Sequence, residues 1–140
     1  MKRTDQQWAN RKVIEVELRN YKKSVRDIRN MRDDILECGY GASKDTGEAM
    51  RISTEKRAIR LMTSPALKEL ERRVEAIKYM IDFLEAQEEQ GKIKFLRMKY
   101  FDNQFTDFGI CQQLNISRPT YFRWREQIIS LVAERLGFEV

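Results

Sequence analysis

The chain has 140 residues, 35% of them charged and 41% apolar, which suits one ordinary domain or a helical module joined to a small reader domain and rules out a large multidomain enzyme. Lys and Arg total 27 against 22 Asp and Glu, a formal charge of +5, a basic bias that permits a polyanionic partner without specifying one. Histidine is absent, which excludes a Ser-His-Asp triad, a His-ligated zinc site and an imidazole proton shuttle. Cys38 and Cys111 have no CxxC spacing and no third soft ligand, so no metal site and no cofactor is implied, and a reducing compartment is expected. The segment from Met1 to Gln7 carries no apolar signal core and no stretch approaches a membrane span, so a cytoplasmic protein without a membrane partner is expected.

Two prolines and six glycines against abundant Glu, Lys, Arg, Leu, Ile and Met predict an all-α chain. Ile14, Leu18, Tyr21, Val25, Ile28 and Ile35 recur at steps of three and four, with one interruption at Arg32, and predict a single amphipathic helix over about 5–37. The run through Cys38, Gly39, Tyr40 and Gly41 stops it, and a flexible loop is expected near 38–53. Helix resumes around Thr54. A fresh start is predicted at Ser64, as N-cap, with Pro65 at the first helical position. Leu67, Leu70, Val74, Ile77, Ile81 and Leu84 then form a seam of coiled-coil type, too short to stand alone. Pairing it with the first stripe, as an intrachain hairpin or across a homodimer, buries both; spacing does not choose between them. Residues 1–90 are therefore read as a helical oligomerisation or scaffold region and 91–140 as a helix-turn-helix domain.

Three short helical patterns carry that second assignment: Lys92 to Phe101, Thr106 to Leu114, and Ser117 to about Leu136. Thr106 and Ser117 are placed as N-caps, and Asp107 complements the start of its helix. Asn115 stands where the tight turn needs a left-handed residue, with Ile116 plugging the turn and Cys111 small enough for a close crossing. Tyr121, Trp124 and Ile128 share a core-facing stripe, which turns Arg118, Phe122 and Arg123 outward near the start of the third helix. These three, with Thr120 and Gln127 as weaker members, are the base-reading candidates. An arginine fork matches guanine O6 and N7, and Phe122 can meet a thymine methyl. From Gly91 to Arg125 seven cations face two carboxylates. Of these, Lys92, Lys94, Arg97, Lys99 and Arg125 are the phosphate-binding candidates. Arg51, Lys56, Arg57 and Arg60 make a second basic patch beside the loop.

The run from Phe95 to Phe101, then Ile110, Leu114 to Ser117, Thr120, and Ile128 to Gly137 resembles the C-terminal reader of phage late-gene transcriptional activators of the RinA and ArpU kind, and is similar to sigma-factor region 4, over roughly the last fifty residues. The resemblance implies a phage-encoded, non-enzymatic activator in a bacterial host, binding double-stranded DNA upstream of packaging and structural genes and contacting RNA polymerase. The family commonly places an aliphatic residue where Trp124 stands, so a repacked core is expected there. Two alternatives accompany this expectation. One is a DNA-packaging recognition protein like a terminase small subunit; the other is a helical protein-binding adaptor, suggested by the acidic 85–90 stretch and the long stripes.

Overall fold

A computed structural model describes residues 2–37, 54–56, 58–59 and 64–140 of the chain. The described residues are helical with no strand, an all-α fold. The expected 38–53 loop, Cys38, Arg51, Arg57, Arg60 and the Ile35 side chain lie outside the described residues.

Helix α1 (Asp5–Arg19) starts in a capping box: the Thr4 hydroxyl accepts from the Gln7 N–H at 3.2 Å and the Gln7 side chain accepts from the Thr4 N–H at 2.8 Å. The single helix expected over 5–37 is in fact two. Asn20 breaks it at φ −91°, ψ 5°, and α2 (Tyr21–Glu37) begins at the next residue. Asn competes poorly inside a helix because its amide bonds the backbone locally. The break re-phases the stripe: Ile14 and Leu18 are buried on α1, whereas α2 turns Tyr21, Ser24, Ile28 and Met31 inward and leaves Val25 exposed.

Helix α3 (Pro65–Ala86) begins as expected, with the Ser64 hydroxyl accepting from the Leu67 N–H at 3.4 Å and Pro65 in the first turn. Leu67, Ile77 and Leu84 of its seam are fully buried, Leu70, Val74 and Ile81 half-buried, and Ala76 and Met80 widen the apolar face. That face is covered within the chain, by α2 on one side and by the last helix on the other. Arg32–Glu71 and Arg73–Glu17, the latter at 2.5 Å, tie α3 to the N-terminal pair.

The remaining helices are α4 (Gln90–Leu96), continued by a π-helical turn (Arg97–Asp102), α5 (Asp107–Leu114) and α6 (Arg118–Leu136). One cluster runs from Ile14 and Leu18 through Ile77 and Leu84 to Phe95, Tyr100, Ile110, Tyr121 and Ile128, so the regions before and after residue 90 share a single core. Trp124 fits because Gly91 has no side chain: a Cβ there would stand 3.1 Å from the indole, whose ring meets Phe95 edge-on at 5.9 Å. Helix α1 clamps α6 from outside. Buried Arg11 forks onto both oxygens of Glu126, Arg3 adds a contact to the same carboxylate at 3.1 Å, and the Asn10 amide donates to the Glu139 carbonyl at 2.9 Å.

Candidate nucleic-acid interface

The turn between α5 and α6 has the local chemistry expected of it. The Thr106 hydroxyl accepts from the Gly109 N–H at 3.0 Å, Asn115 sits at φ 53°, ψ 48°, and the Ile116 N–H closes back on the Cys111 carbonyl at 3.0 Å. Ser117 caps α6 by accepting from the Thr120 N–H at 3.3 Å. The Ser117 hydroxyl also lies 2.9 Å from that of Thr120, which in turn accepts from an Arg123 guanidinium nitrogen at 3.1 Å. Arg118 rests over the Phe122 ring at 5.7 Å. Both arginines are exposed, and neither has a carboxylate partner among the described residues. Each is steadied by its own helix while its fork stays open to a ligand.

The base-reading candidates divide into two groups. Thr120, Arg123 and Gln127 line one ridge of α6 at steps of three and four, with Thr120 and Gln127 half-buried. Arg118 and Phe122 instead border an open cleft of about 680 Å³ between α5 and α6, shared with Asp107, Phe108, Cys111 and Asn115. Phe108 is 71% exposed, the most exposed large apolar side chain among the described residues. Sequence reasoning missed it, because an apolar residue out of phase with Ile110 and Leu114 is the only signal it leaves.

The structure divides the phosphate-binding candidates by their partners. Lys94 and Arg97 are exposed and have no acidic partner among the described residues. Arg125 points the other way: its Nε donates to Glu15 of α1 at 2.8 Å, and the fully buried Tyr100 donates to the same oxygen at 3.2 Å. Lys99 is drawn under the core edge by the π turn, which places its ammonium 2.7 Å from the Tyr121 hydroxyl and 3.4 Å from Asp107. Lys92 pairs with Glu89 at 3.2 Å and its side chain is only 13% exposed. These three cations are engaged within the fold: Arg125 neutralises the shielded Glu15, and Lys92 and Lys99, whose own side chains are drawn in from solvent, are paired with the more exposed Glu89 and Asp107.

The electrostatics follow. Burial alone would push the Glu15 carboxyl up, but the Arg125 hydrogen bond and charge, with Tyr100 and Lys99, outweigh it and hold Glu15 below the usual carboxylate range. Asp107 is held low by the Tyr121 hydroxyl first and Lys99 next. Burial, then the Glu15 charge, drives Tyr100 up; burial and the Asp107 hydrogen bond do the same to Tyr121, so both stay phenols. A carboxyl whose folded pKa lies below its unfolded value stabilises the fold above the unfolded pKa and ceases to do so as pH falls through the folded one. The melting temperature is therefore expected to drop below about pH 4, and Glu15→Gln to flatten that acid limb. Superimposable acid limbs for the two proteins would disprove the assignment.

The geometry defines a small helical protein whose last two helices, joined by a three-residue turn, present two arginines free of carboxylate partners among the described residues. The chain belongs to the family described as "Protein of unknown function (DUF1492)", whose profile matches residues 29–133, from within α2 to near the end of α6. Helix α1, which supplies Arg11 and Glu15 to α6, precedes the matched span. No curated protein and no solved structure matches the chain. No helix among the described residues is long and apolar enough to cross a membrane.

Proposed function

We propose that the chain is a sequence-specific double-stranded DNA-binding protein in which the start of α6 enters the major groove. The observation that carries this reading is the pair Arg118 and Arg123, exposed and without carboxylate partners at the head of a capped helix, while nearby cations are committed to the fold. Arg123, with Thr120 and Gln127, reads base edges; Arg118 and Phe122 read from the cleft side; Lys94 and Arg97 contact phosphates. The resemblance of the C-terminal residues to RinA- and ArpU-type activators supports a role as a transcriptional activator of phage late genes acting on RNA polymerase in the cytoplasm of a bacterial host. No catalytic role is proposed.

Arg123→Ala is expected to weaken binding to the preferred duplex by about 1–3 kcal/mol and to relax one base position. Arg97→Ala is expected to weaken all duplexes alike and to lower the salt slope by about 0.9. Mobility-shift titrations over a set of single-base variants check both. Equal affinity of the unaltered protein for preferred and scrambled duplexes would end the sequence-specific reading. The exposed Phe108 beside the cleft favours one second reading, a helical adaptor that docks a protein there; salt-insensitive partner binding with no retention on DNA would establish it in place of the first.

A further inference from the structure

With Arg125, Lys99 and Lys92 engaged inside the protein, the C-terminal helices keep few cations for phosphate, and among the described residues a dense cluster of exposed positive charge lies elsewhere, on α2. Lys22, Lys23, Arg26 and Arg29 are all exposed. At 3.6 residues per turn they fall within an arc of about 120°, centred opposite the inward face formed by Tyr21, Ser24, Ile28 and Met31. Asp27 sits half-buried at the flank of the arc, and Asp33 and Asp34 end the stripe. Among the described residues only Lys22 of the four has an acidic partner, Asp102 at 3.8 Å, and its side chain remains 64% exposed.

Two features separate this stripe from an ordinary solvated face. The first is position. Tyr21 stacks on Phe101 at 5.2 Å, and Lys22 meets Asp102, so the head of α2 abuts the end of the π turn, four residues before the Thr106 cap of α5. In a helix-turn-helix the helix before the recognition helix crosses the DNA backbone, and the head of α2 lies against the segment that leads into that helix. The second is a cost the helix bears: the first turn of α2 holds two lysines and no acidic residue, against the direction of the helix dipole. A charge arrangement that disfavours its own helix is expected where an external anion compensates it.

We infer that the α2 stripe is a second phosphate track, which extends the contact on duplex DNA beyond the site read by α6 and adds affinity without sequence preference. This rests on the DNA-binding reading above. It assigns Lys22, Lys23, Arg26 and Arg29 the backbone role that Lys92, Lys99 and Arg125 do not fill.

The test is fluorescence anisotropy of the full chain on random-sequence duplexes of about 30 and about 10 base pairs, the latter one helical turn, over a range of salt concentrations. The variant Lys22→Gln/Lys23→Gln/Arg26→Gln/Arg29→Gln is expected to lower the slope of log K against log salt by about 2–4 on the long duplex, near 0.9 per lost phosphate contact, and by little on the short one. Lys68→Gln/Lys78→Gln, equally exposed cations on α3, is the control and is expected to leave the slope in place. An unchanged slope in the α2 variant, with Arg123-dependent preference intact, overturns the second track and leaves the DNA reading standing. A fall in the α3 control about half as large, in proportion to the two charges it removes against four, also overturns it, since the effect would then be one of net charge. Absence of salt-dependent binding by the unaltered protein to any duplex overturns the DNA reading itself.

Discussion

Phe95→Ala is expected to cost about 3–5 kcal/mol, the range for truncating a fully buried aromatic ring. Phe95 is fully buried where α4 meets α6, with its ring edge-on to Tyr121 at 5.1 Å and to Trp124 at 5.9 Å. Truncation removes the transfer free energy of the ring and two aromatic contacts of about 0.5–1.5 kcal/mol each. The cavity cannot close easily, because Trp124 already rests against the Gly91 backbone and Tyr121 is held by Asp107 and Lys99. Against a typical total stability of about 5–15 kcal/mol, the loss would loosen the helix that presents Arg118 and Arg123. Urea denaturation should show a lower midpoint with an unchanged m-value, and Phe95→Leu should fall between the two proteins. A cost below about 1 kcal/mol would mean that the aromatic cluster is not close-packed.

Arg125→Ala comes next, at about 2–3 kcal/mol, and it separates two roles for one side chain. The guanidinium is 29% exposed and Glu15 13% exposed, so the pair is shielded without being fully desolvated, and removing the cation leaves Glu15 with the Tyr100 hydroxyl as hydrogen-bond partner and the weaker influence of the Lys99 charge. Breaking a buried pair costs more than the pair contributes, because the surviving charge remains uncompensated. Glu15→Leu combined with Arg125→Met should therefore recover part of the loss. The salt slope of DNA binding should not change in Arg125→Ala, since the guanidinium is turned to α1 and not to phosphate. A slope lower by about 0.9 at unaltered stability would return Arg125 to the phosphate set.

The elements with local causes were legible in advance. Ser64–Pro65, Thr106, Ser117 and Asn115 each act through bonds that close within a few residues, and each stands where its chemistry requires. The single-residue break at Asn20 and the π turn at Arg97–Asp102 were not, because each changes helical phase without a proline or glycine to mark it. The engagement of Lys92, Lys99 and Arg125 within the fold was hidden for a related reason. A free lysine and one committed to a carboxylate look alike in a sequence, and Arg125 finds Glu15 110 positions away. The α2 stripe could have been found from the spacing of Lys22, Lys23, Arg26 and Arg29, but only the break at Asn20 establishes which face they occupy.

By itself, then, the order of residues determined an all-helical chain, the two caps and left-handed turn at its C-terminal end, and the outward direction of Arg118 and Arg123. Those properties depend on periodicity and on hydrogen bonds between near neighbours. The tertiary structure alone decided that the α3 seam is covered by α2 and α6 of the same chain, that one core passes through the 90/91 boundary, and which cations remain open to a partner. The reason is physical: burial and ion pairing between distant segments depend on where helices come to lie against one another, and local spacing carries no record of that.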